Sequence, residues 1–269
     1  MASAQNAGVH LHFDDAGEGP PLLLIMGLGG SSAAWYRLLP HLRGHARAIT
    51  FDNRGTGQSD RIRGPLGVTD MAADAVAVLD AAGVERADVL GVSMGGMIAQ
   101  HLALDHPDRV RSLVLGCTTA NARAGLPSWR LLSAAALRDI APGRAFELLA
   151  PALYSAHTRA AAPERIREDF AMRAREATPA ATLMGQMRAI SAHDTRARLA
   201  ELDGLRVTIV HGEEDALIAP ARGRELARLI PGARLVPIAG AGHVMLTDAE
   251  DAVVGALLEH LASSQPVGV

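Results

Sequence analysis

The stretch that decides the fold is Ala87-Asp88-Val89-Leu90-Gly91-Val92-Ser93-Met94-Gly95-Gly96-Met97. An apolar run ends there where a helical pattern begins, so the stretch predicts a strand, a tight turn and a helix. Gly91 and Gly95 stand two residues on either side of Ser93, where such a turn leaves no room for side chains. The turn would present the Ser93 hydroxyl as a nucleophile; the alternative is a glycine-rich turn with an incidental serine.

Short apolar runs alternate with helical patterns on both sides of this turn. The predicted strands are Val9–Asp14, Pro21–Met26, Ala46–Phe51, Ala87–Val92, Arg111–Leu115, Val207–Val210 and Arg234–Ile238. The predicted helices are Ala33–Arg43, Asp70–Ala82, Met94–His106, Ala221–Leu229 and Asp248–Leu261. Several strands are continuously apolar, which is typical of a parallel sheet buried on both faces. The alternation therefore predicts an open parallel α/β sheet with right-handed crossovers.

The alternation stops between Asn121 and Asp203, where the sequence is rich in Ala, Arg and Met at helical spacing. We predict an α/β core formed by residues 1–120 and 204–269, with a helical insertion over residues 121–203. The insertion is a small domain, a cap over the ends of the strands, or additional packing. Long insertions near strand ends often carry function, which favours the cap.

A nucleophilic serine needs a base that is oriented by a carboxylate, in the chain order acid and then histidine. The strand Val207–Val210 is followed by Glu213, Glu214 and Asp215, which places carboxylates at the carboxyl end of a strand. Spacing alone does not separate Asp215 from the two glutamates. His243 lies on a glycine-flanked loop after the last predicted strand, so it is the candidate base.

Acyl transfer also needs hydrogen-bond donors for the developing oxyanion. The turn Gly27-Leu28-Gly29-Gly30 follows a predicted strand and could offer the backbone N–H of Leu28, paired with the N–H of Met94. The alternatives are a plain turn or a dinucleotide-binding unit closed by Asp52. Ser32 replaces the third glycine that a dinucleotide-binding unit requires.

Composition excludes several classes of function. The 269 residues are 49% hydrophobic and 20% charged, with a net charge of −3, so a folded chain without the basic surface of a nucleic-acid-binding protein is expected. All 26 basic residues are arginine, which excludes P-loop and Schiff-base chemistry because both need a lysine.

The sequence also bears on location and on metals. Cys117 is the one cysteine, so an internal disulfide and a thiolate zinc site are excluded, and a buried apolar role is expected for it instead of a nucleophilic one. The amino-terminal segment lacks the pattern of a secretion signal. The apolar run at Leu22–Met26 is far shorter than the roughly 20 residues that span a bilayer. We expect a cytoplasmic protein without a membrane anchor.

Taken together, these motifs resemble the α/β-hydrolase superfamily over nearly the whole chain outside the insertion. The resemblance rests on four segments: the Gly91 to Met97 run, the loop Phe51-Asp52-Asn53-Arg54-Gly55-Thr56-Gly57-Gln58-Ser59, the Gly212 to Asp215 segment and Gly242-His243. Within the superfamily the chain looks most similar to 3-oxoadipate enol-lactonase-like and polyketide methylesterase-like members. Many relatives have His-Gly where this chain has Met26-Gly27, which leaves the backbone donors in place but removes any role for a histidine there.

The resemblance implies a mostly parallel sheet of the eight-stranded type, flanked by helices, with residues 121–203 as a cap that shapes the pocket. It implies Ser93 as nucleophile, Asp215 as acid, His243 as base, and the N–H groups of Leu28 and Met94 as oxyanion hole.

The reaction expected is hydrolysis of a small carboxylic ester or lactone, without metal or cofactor and with a small molecule as the partner. The alternatives are C–C bond hydrolysis, perhydrolysis or a cyclase or lyase reaction with the same residues, and a protein that binds a ligand without turnover.

Overall fold

The computed structural model describes residues 2–122, 142–176 and 178–263. Its strands are β1 (Ala2–Asn6), β2 (Val9–Ala16), β3 (Pro21–Ile25), β4 (Arg47–Phe51), β5 (Ala87–Val92), β6 (Val110–Gly116), β7 (Arg206–Gly212) and β8 (Arg234–Ile238). They form one sheet in the order β1-β2-β4-β3-β5-β6-β7-β8. The pairs β1–β2 and β2–β4 are antiparallel, and the remaining pairs are parallel. The predicted mostly parallel sheet is confirmed, and the carboxyl ends of β3 to β8 share one edge.

The helices follow the strands on both sides of the sheet. They are α1 (Leu39–Leu42), α2 (Val68–Ala81), α3 (Met94–Asp105), α4 (Pro142–Leu153), α5 (Ala156–Ala161), α6 (Pro163–Arg175), α7 (Ala180–Ser191), α8 (Ala221–Leu229), α9 (Met245–Asp248) and α10 (Glu250–Ala262). Among the described residues, none of these helices is long and apolar enough to cross a membrane.

Two hydrophobic clusters bury the two faces of the sheet. In β3, Leu23 and Ile25 pack with residues of α2 and α3, whereas Leu22 and Leu24 pack with residues of α1 and α10. Successive side chains of a strand point to opposite faces, so a strand covered on both sides must be apolar throughout. This explains the continuous apolar run that the sequence shows there.

Three elements differ from the sequence prediction. β1 was not predicted, because Ala-Ser-Ala-Gln-Asn holds none of the β-branched or aromatic residues that favour strands. The helix predicted over residues 33–43 is a 3-10 turn, Ser32–Trp35, followed by the short α1 with Pro40 in its first turn. The helix predicted over residues 248–261 begins two residues later, as α10, and the short α9 that precedes it was not predicted.

The helices α4 to α7 lie between β6 and β7, in the region predicted as a helical insertion. Residues 123–141 of that region lie outside the described residues. An isolated bridge joins Asn121 to Asp194, so the beginning and the end of the insertion meet. The division into core and cap at residues 120 and 204 stays a prediction.

Candidate active site

Ser93 occupies the turn between β5 and α3 with a strained backbone. Its φ is +56° and its ψ is −120°, in a region that non-glycine residues rarely adopt. The surrounding structure holds it there: its N–H donates to Gly116 O at 2.8 Å, and the Thr118 hydroxyl donates to Ser93 O at 2.7 Å. Strained residues of this kind cluster at functional sites.

The two glycines of the motif are required because a side chain at either position would clash with its neighbours. A Cβ on Gly91 would collide with the carbonyl oxygen of Gly95, and a Cβ on Gly95 would collide with the carbonyl oxygen of Ile25. Both obstacles are backbone atoms, so a larger residue at either position would have to displace β3, β5 or α3. The tight turn predicted from the sequence is confirmed, and the reason is steric.

Asp215 and His243 form a hydrogen-bonded pair. The Nδ1 atom of His243 lies 2.8 Å from Oδ2 of Asp215, while Oδ1 accepts the N–H groups of Leu217 and Ile218 at 2.9 and 2.8 Å. Burial on its own would raise the pKa of Asp215, but His243, His211 and the Ile218 N–H outweigh it and hold that pKa well below its usual range. An ionised carboxylate only accepts hydrogen bonds, so Nδ1 carries the hydrogen and the lone pair of His243 is on Nε2.

The structure separates the three carboxylates that spacing left open. Asp215 is buried, whereas Glu213 and Glu214 are exposed to solvent. Glu214 Oε2 accepts the N–H of Ala156 at 3.2 Å. Of the three, Asp215 is the one that hydrogen-bonds His243, which agrees with the choice that the family resemblance implies.

Two supporting residues were missed by the sequence reasoning. His211, buried at the end of β7, bonds Ile218 O at 2.8 Å through Nε2, which lies 3.4 Å from Asp215 Oδ2. Asp248 Oδ2 accepts the Gly242 N–H at 2.7 Å and so fixes the loop that carries His243. A histidine inside an apolar strand could have signalled the first residue, but no local pattern signals the second.

The turn predicted to form the oxyanion hole lies against Ser93. A Cβ on Gly27 would be 3.1 Å from Ser93 Cβ, and the Gly30 N–H closes the turn onto Gly27 O at 3.1 Å. Asp52 is buried, and its carboxylate accepts the N–H groups of Ser32 and Gln58 at 2.7 and 2.9 Å. Because Asp52 is fully buried and its carboxylate holds the turn, the structure does not favour the dinucleotide-binding alternative.

Cys117 lies beside the pair at the end of β6. Ligand atoms of Cys117, Asp215 and His243 lie within 4.8 Å of one another, the one such group of potential metal ligands in the described part of the chain. Burial raises the pKa of the Cys117 thiol, so it is neutral and a poor ligand. The Asp215–His243 hydrogen bond also occupies two of the three groups, so a metal centre is poorly supported here.

The sheet brings these residues to one edge. Ser93 follows β5, Cys117 follows β6, Asp215 follows β7 and His243 follows β8, and these four strands are neighbours and parallel. Ligand sites of α/β sheets form at this carboxyl edge. The structure therefore brings a strained serine, a paired aspartate and histidine, and a glycine turn to the same edge.

These features define a class of enzymes, and comparison with known proteins places the chain in it. A family model described as "alpha/beta hydrolase fold" matches residues 20–250, and the chain belongs to this family. The predicted family and fold are therefore confirmed.

Named relatives and solved structures agree with the family. "Putative carbamate hydrolase RutD" from Azorhizobium caulinodans is 31% identical, over 90% of this chain and 91% of that protein. A thermophilic esterase from Thermogutta terrifontis superposes with a TM-score of 0.85 at 27% identity, covering 99% of this chain and 98% of that one. The enol-lactonase from Burkholderia xenovorans superposes with a TM-score of 0.85 at 25% identity, covering 97% and 99%. The prediction of a hydrolytic enzyme is confirmed.

Proposed function

We propose that the protein hydrolyses a small carboxylic ester or lactone through an acyl-enzyme formed on Ser93. The observation that carries the proposal is the hydrogen bond between His243 Nδ1 and Asp215 Oδ2 at the sheet edge that also presents Ser93. The esterase and the enol-lactonase among the structural relatives support this substrate class.

Acylation begins when Ser93 Oγ attacks the carbonyl carbon and His243 Nε2 takes the serine proton. Asp215 stabilises the imidazolium that results, because its carboxylate is ionised and already accepts the Nδ1 hydrogen. The carbonyl oxygen becomes an oxyanion and accepts the N–H groups of Leu28 and Met94. The imidazolium then protonates the leaving alkoxide, which departs from an ester and stays attached through the acyl chain in a lactone.

Deacylation repeats the same steps with water. His243 removes a proton from water as the oxygen attacks the acyl carbon, and it returns that proton to Ser93 Oγ when the acid leaves. His243 therefore accepts and returns the proton in each step of the reaction.

A carbamate is the second candidate substrate. The relative from Azorhizobium caulinodans is named for carbamate hydrolysis, and a carbamate presents the same carbonyl carbon to Ser93. The intermediate would be a carbamoyl-enzyme in place of an acyl-enzyme. Substrate preference therefore separates the two candidates, since the catalytic residues are the same.

The test is the initial rate of product release from a panel of small esters, lactones and carbamates. We expect turnover that Ser93→Ala lowers by about four orders of magnitude or more. Thr118→Val serves as a control for structural effects, because it removes the bond to Ser93 O but leaves the nucleophile. Turnover that survives Ser93→Ala would overturn Ser93 as the nucleophile. An inert panel would overturn the proposal in favour of the C–C, perhydrolysis, cyclase or lyase, and binding alternatives.

A further inference from the structure

Helix α7 of the insertion is hydrogen-bonded to the turn that follows β3. Gln186 Oε1 accepts the Gly29 N–H at 2.9 Å, and its Nε2 donates to Arg54 O at 3.3 Å. Just before the helix, the Thr178 hydroxyl donates to Gly29 O at 2.8 Å. Gln186 and Thr178 are both buried, so these bonds are made away from solvent.

The core and the insertion hold different parts of this turn. The core holds its ends, because Asn53 Nδ2 donates to Met26 O at 2.9 Å and Asp52 Oδ1 accepts the Ser32 N–H at 2.7 Å. The middle of the turn, at Gly29, is held by residues 149 and 157 positions further along the chain. The shape of the turn therefore depends on the insertion as well as on the sheet.

Close packing accompanies these bonds. Gly29 has a φ of +65°, and a Cβ on it would meet Leu183 Cδ2 at 2.5 Å. The Leu183 side chain of α7 thus packs directly against the Gly29 backbone. Such an approach leaves Gln186 in a fixed position relative to the turn.

Three successive peptide groups of the turn are fixed in consequence. The Gly30 N–H holds Gly27 O inside the turn, and because C=O and N–H point in opposite directions in a trans peptide, the Leu28 N–H points outward. Gln186 fixes the following peptide through the Gly29 N–H, and Thr178 fixes the third through Gly29 O. Rotation of the Leu28 N–H away from its direction would have to break these bonds.

We propose that Gln186 is a positioning residue for the oxyanion hole, acting through Gly29 on the Leu28 N–H, with Thr178 as its companion. The inference rests on the proposed function of Ser93. It assigns α7 a part in the chemical step in addition to the predicted role of the cap in shaping the pocket. Gln186 does not itself touch the reacting atoms.

The test uses the full chain and a fluorophosphonate probe, whose phosphoryl oxygen takes the place of the oxyanion. In the labelling step the Ser93 Oγ–P bond forms, the P–F bond breaks, fluoride leaves and the serine proton passes to His243. Gln186→Met is of similar size but cannot accept the Gly29 N–H. We expect the second-order labelling rate constant to fall about 10- to 100-fold, below the roughly 10²- to 10³-fold loss that removal of an oxyanion donor causes.

Gln100→Met is the matched control. Gln100 is also fully buried, and its Nε2 donates to Gly96 O and Thr119 O, both at 3.1 Å, with no bond to the Gly27 to Gly30 turn. We expect Gln100→Met to lower the melting temperature about as much as Gln186→Met, with a smaller effect on labelling. A parallel fall in kcat with an unchanged KM for the preferred panel substrate would further support positioning.

Gln186→Glu tests rescue, since its carboxyl group still accepts the Gly29 N–H, and we expect it to label faster than Gln186→Met. Equal labelling of the wild type and Gln186→Met, or an equal loss in Gln100→Met, would overturn the inference alone. A wild-type protein that is not labelled at Ser93 would overturn the proposed function and the inference together.

Discussion

The described residues include two clusters of aspartate, serine and histidine, at opposite edges of the same sheet. At the carboxyl edge are Ser93, Asp215 and His243. At the amino edge Ser112 Oγ donates to Asp88 at 2.5 Å and lies 2.8 Å from Nε2 of His260. The same three residue types therefore occur twice in the described part of the chain, and the first set lies at the edge where ligand sites of α/β sheets form.

The difference lies in how the serine is presented. Ser112 lies inside β6 and is fully buried. Its hydroxyl is hydrogen-bonded to Asp88 and to His260, so it links α10 to the sheet. Ser93 is half-buried on a strained turn after its strand has ended. The comparison teaches that backbone position and access, more than residue type or mutual contact, make a serine a nucleophile.

The aspartates give the largest expected contrast between the clusters. Asp215→Asn should lower kcat about 10⁴-fold, because the amide no longer stabilises the imidazolium or selects the tautomer with its hydrogen on Nδ1. Asp88→Asn should leave kcat unchanged and destabilise the fold by about 1–3 kcal/mol through its bonds to Arg111 and Ser112. Steady-state rates and urea unfolding of the two variants measure both effects. A lowered kcat with unchanged stability in Asp88→Asn would contradict the assignment of a structural role to the cluster at the amino edge.

The histidine of the amino edge should make stability depend on pH. Burial, with a contribution from Arg206, lowers the pKa of His260 from 6.5 to about 4. Between pH 6.5 and pH 4, His260 therefore binds a proton in the unfolded chain but not in the folded chain. The free energy of unfolding consequently falls as the pH falls through this window. At about 1.4 kcal/mol per unit, the loss is about 3 kcal/mol.

Urea unfolding at pH values from 7.5 to 4.5 measures this dependence, and His260→Gln should reduce its slope. Part of the slope should remain in the variant, since burial also lowers the pKa of His193 to about 4. A variant with the wild-type slope would show that His260 is not the titrating group.

Two glycines extend the comparison to the helices, and Gly255→Ala has the smallest expected effect. Gly255→Ala on α10 has nothing within 4 Å of the new Cβ, so it should stabilise the fold by about 0.5–1 kcal/mol. Gly95→Ala on α3 should destabilise it by about 1–3 kcal/mol, because the Cβ meets the backbone of β3. Melting temperatures and fluorophosphonate labelling test both, and an active, stable Gly95→Ala protein would contradict the steric explanation of the motif.

Short-range patterns made much of this fold predictable. The turn at Ser93 follows from residues within a few positions of one another, and the alternation of strands and helices follows from local periodicity. β1 escaped prediction because its residues have weak strand preference and its pairing with β2 decides its structure. The division of residues 33–43 into a 3-10 turn and α1 likewise depends on tertiary packing.

The candidate site was predictable from chain order and from the family resemblance. His243 follows from its place after the last strand, and the resemblance implies Asp215. Spacing within one loop does not separate Asp215 from its neighbours, because they differ in burial, which spacing does not reveal. Gln186 bonds a backbone group of a distant segment. Gly29 and Gln186 are 157 positions apart, so the sequence contains no local sign of their contact.

A screen for heat tolerance would select variants in which Ser93 is replaced. Its backbone lies in a sparsely populated region that costs about 1–3 kcal/mol, whereas glycine adopts positive φ readily. Ser93→Gly would therefore be enriched in a library sorted by melting temperature alone, and each such variant would lack the proposed nucleophile. Thermostability engineering of this chain should hold position 93 fixed and select for turnover at the same time.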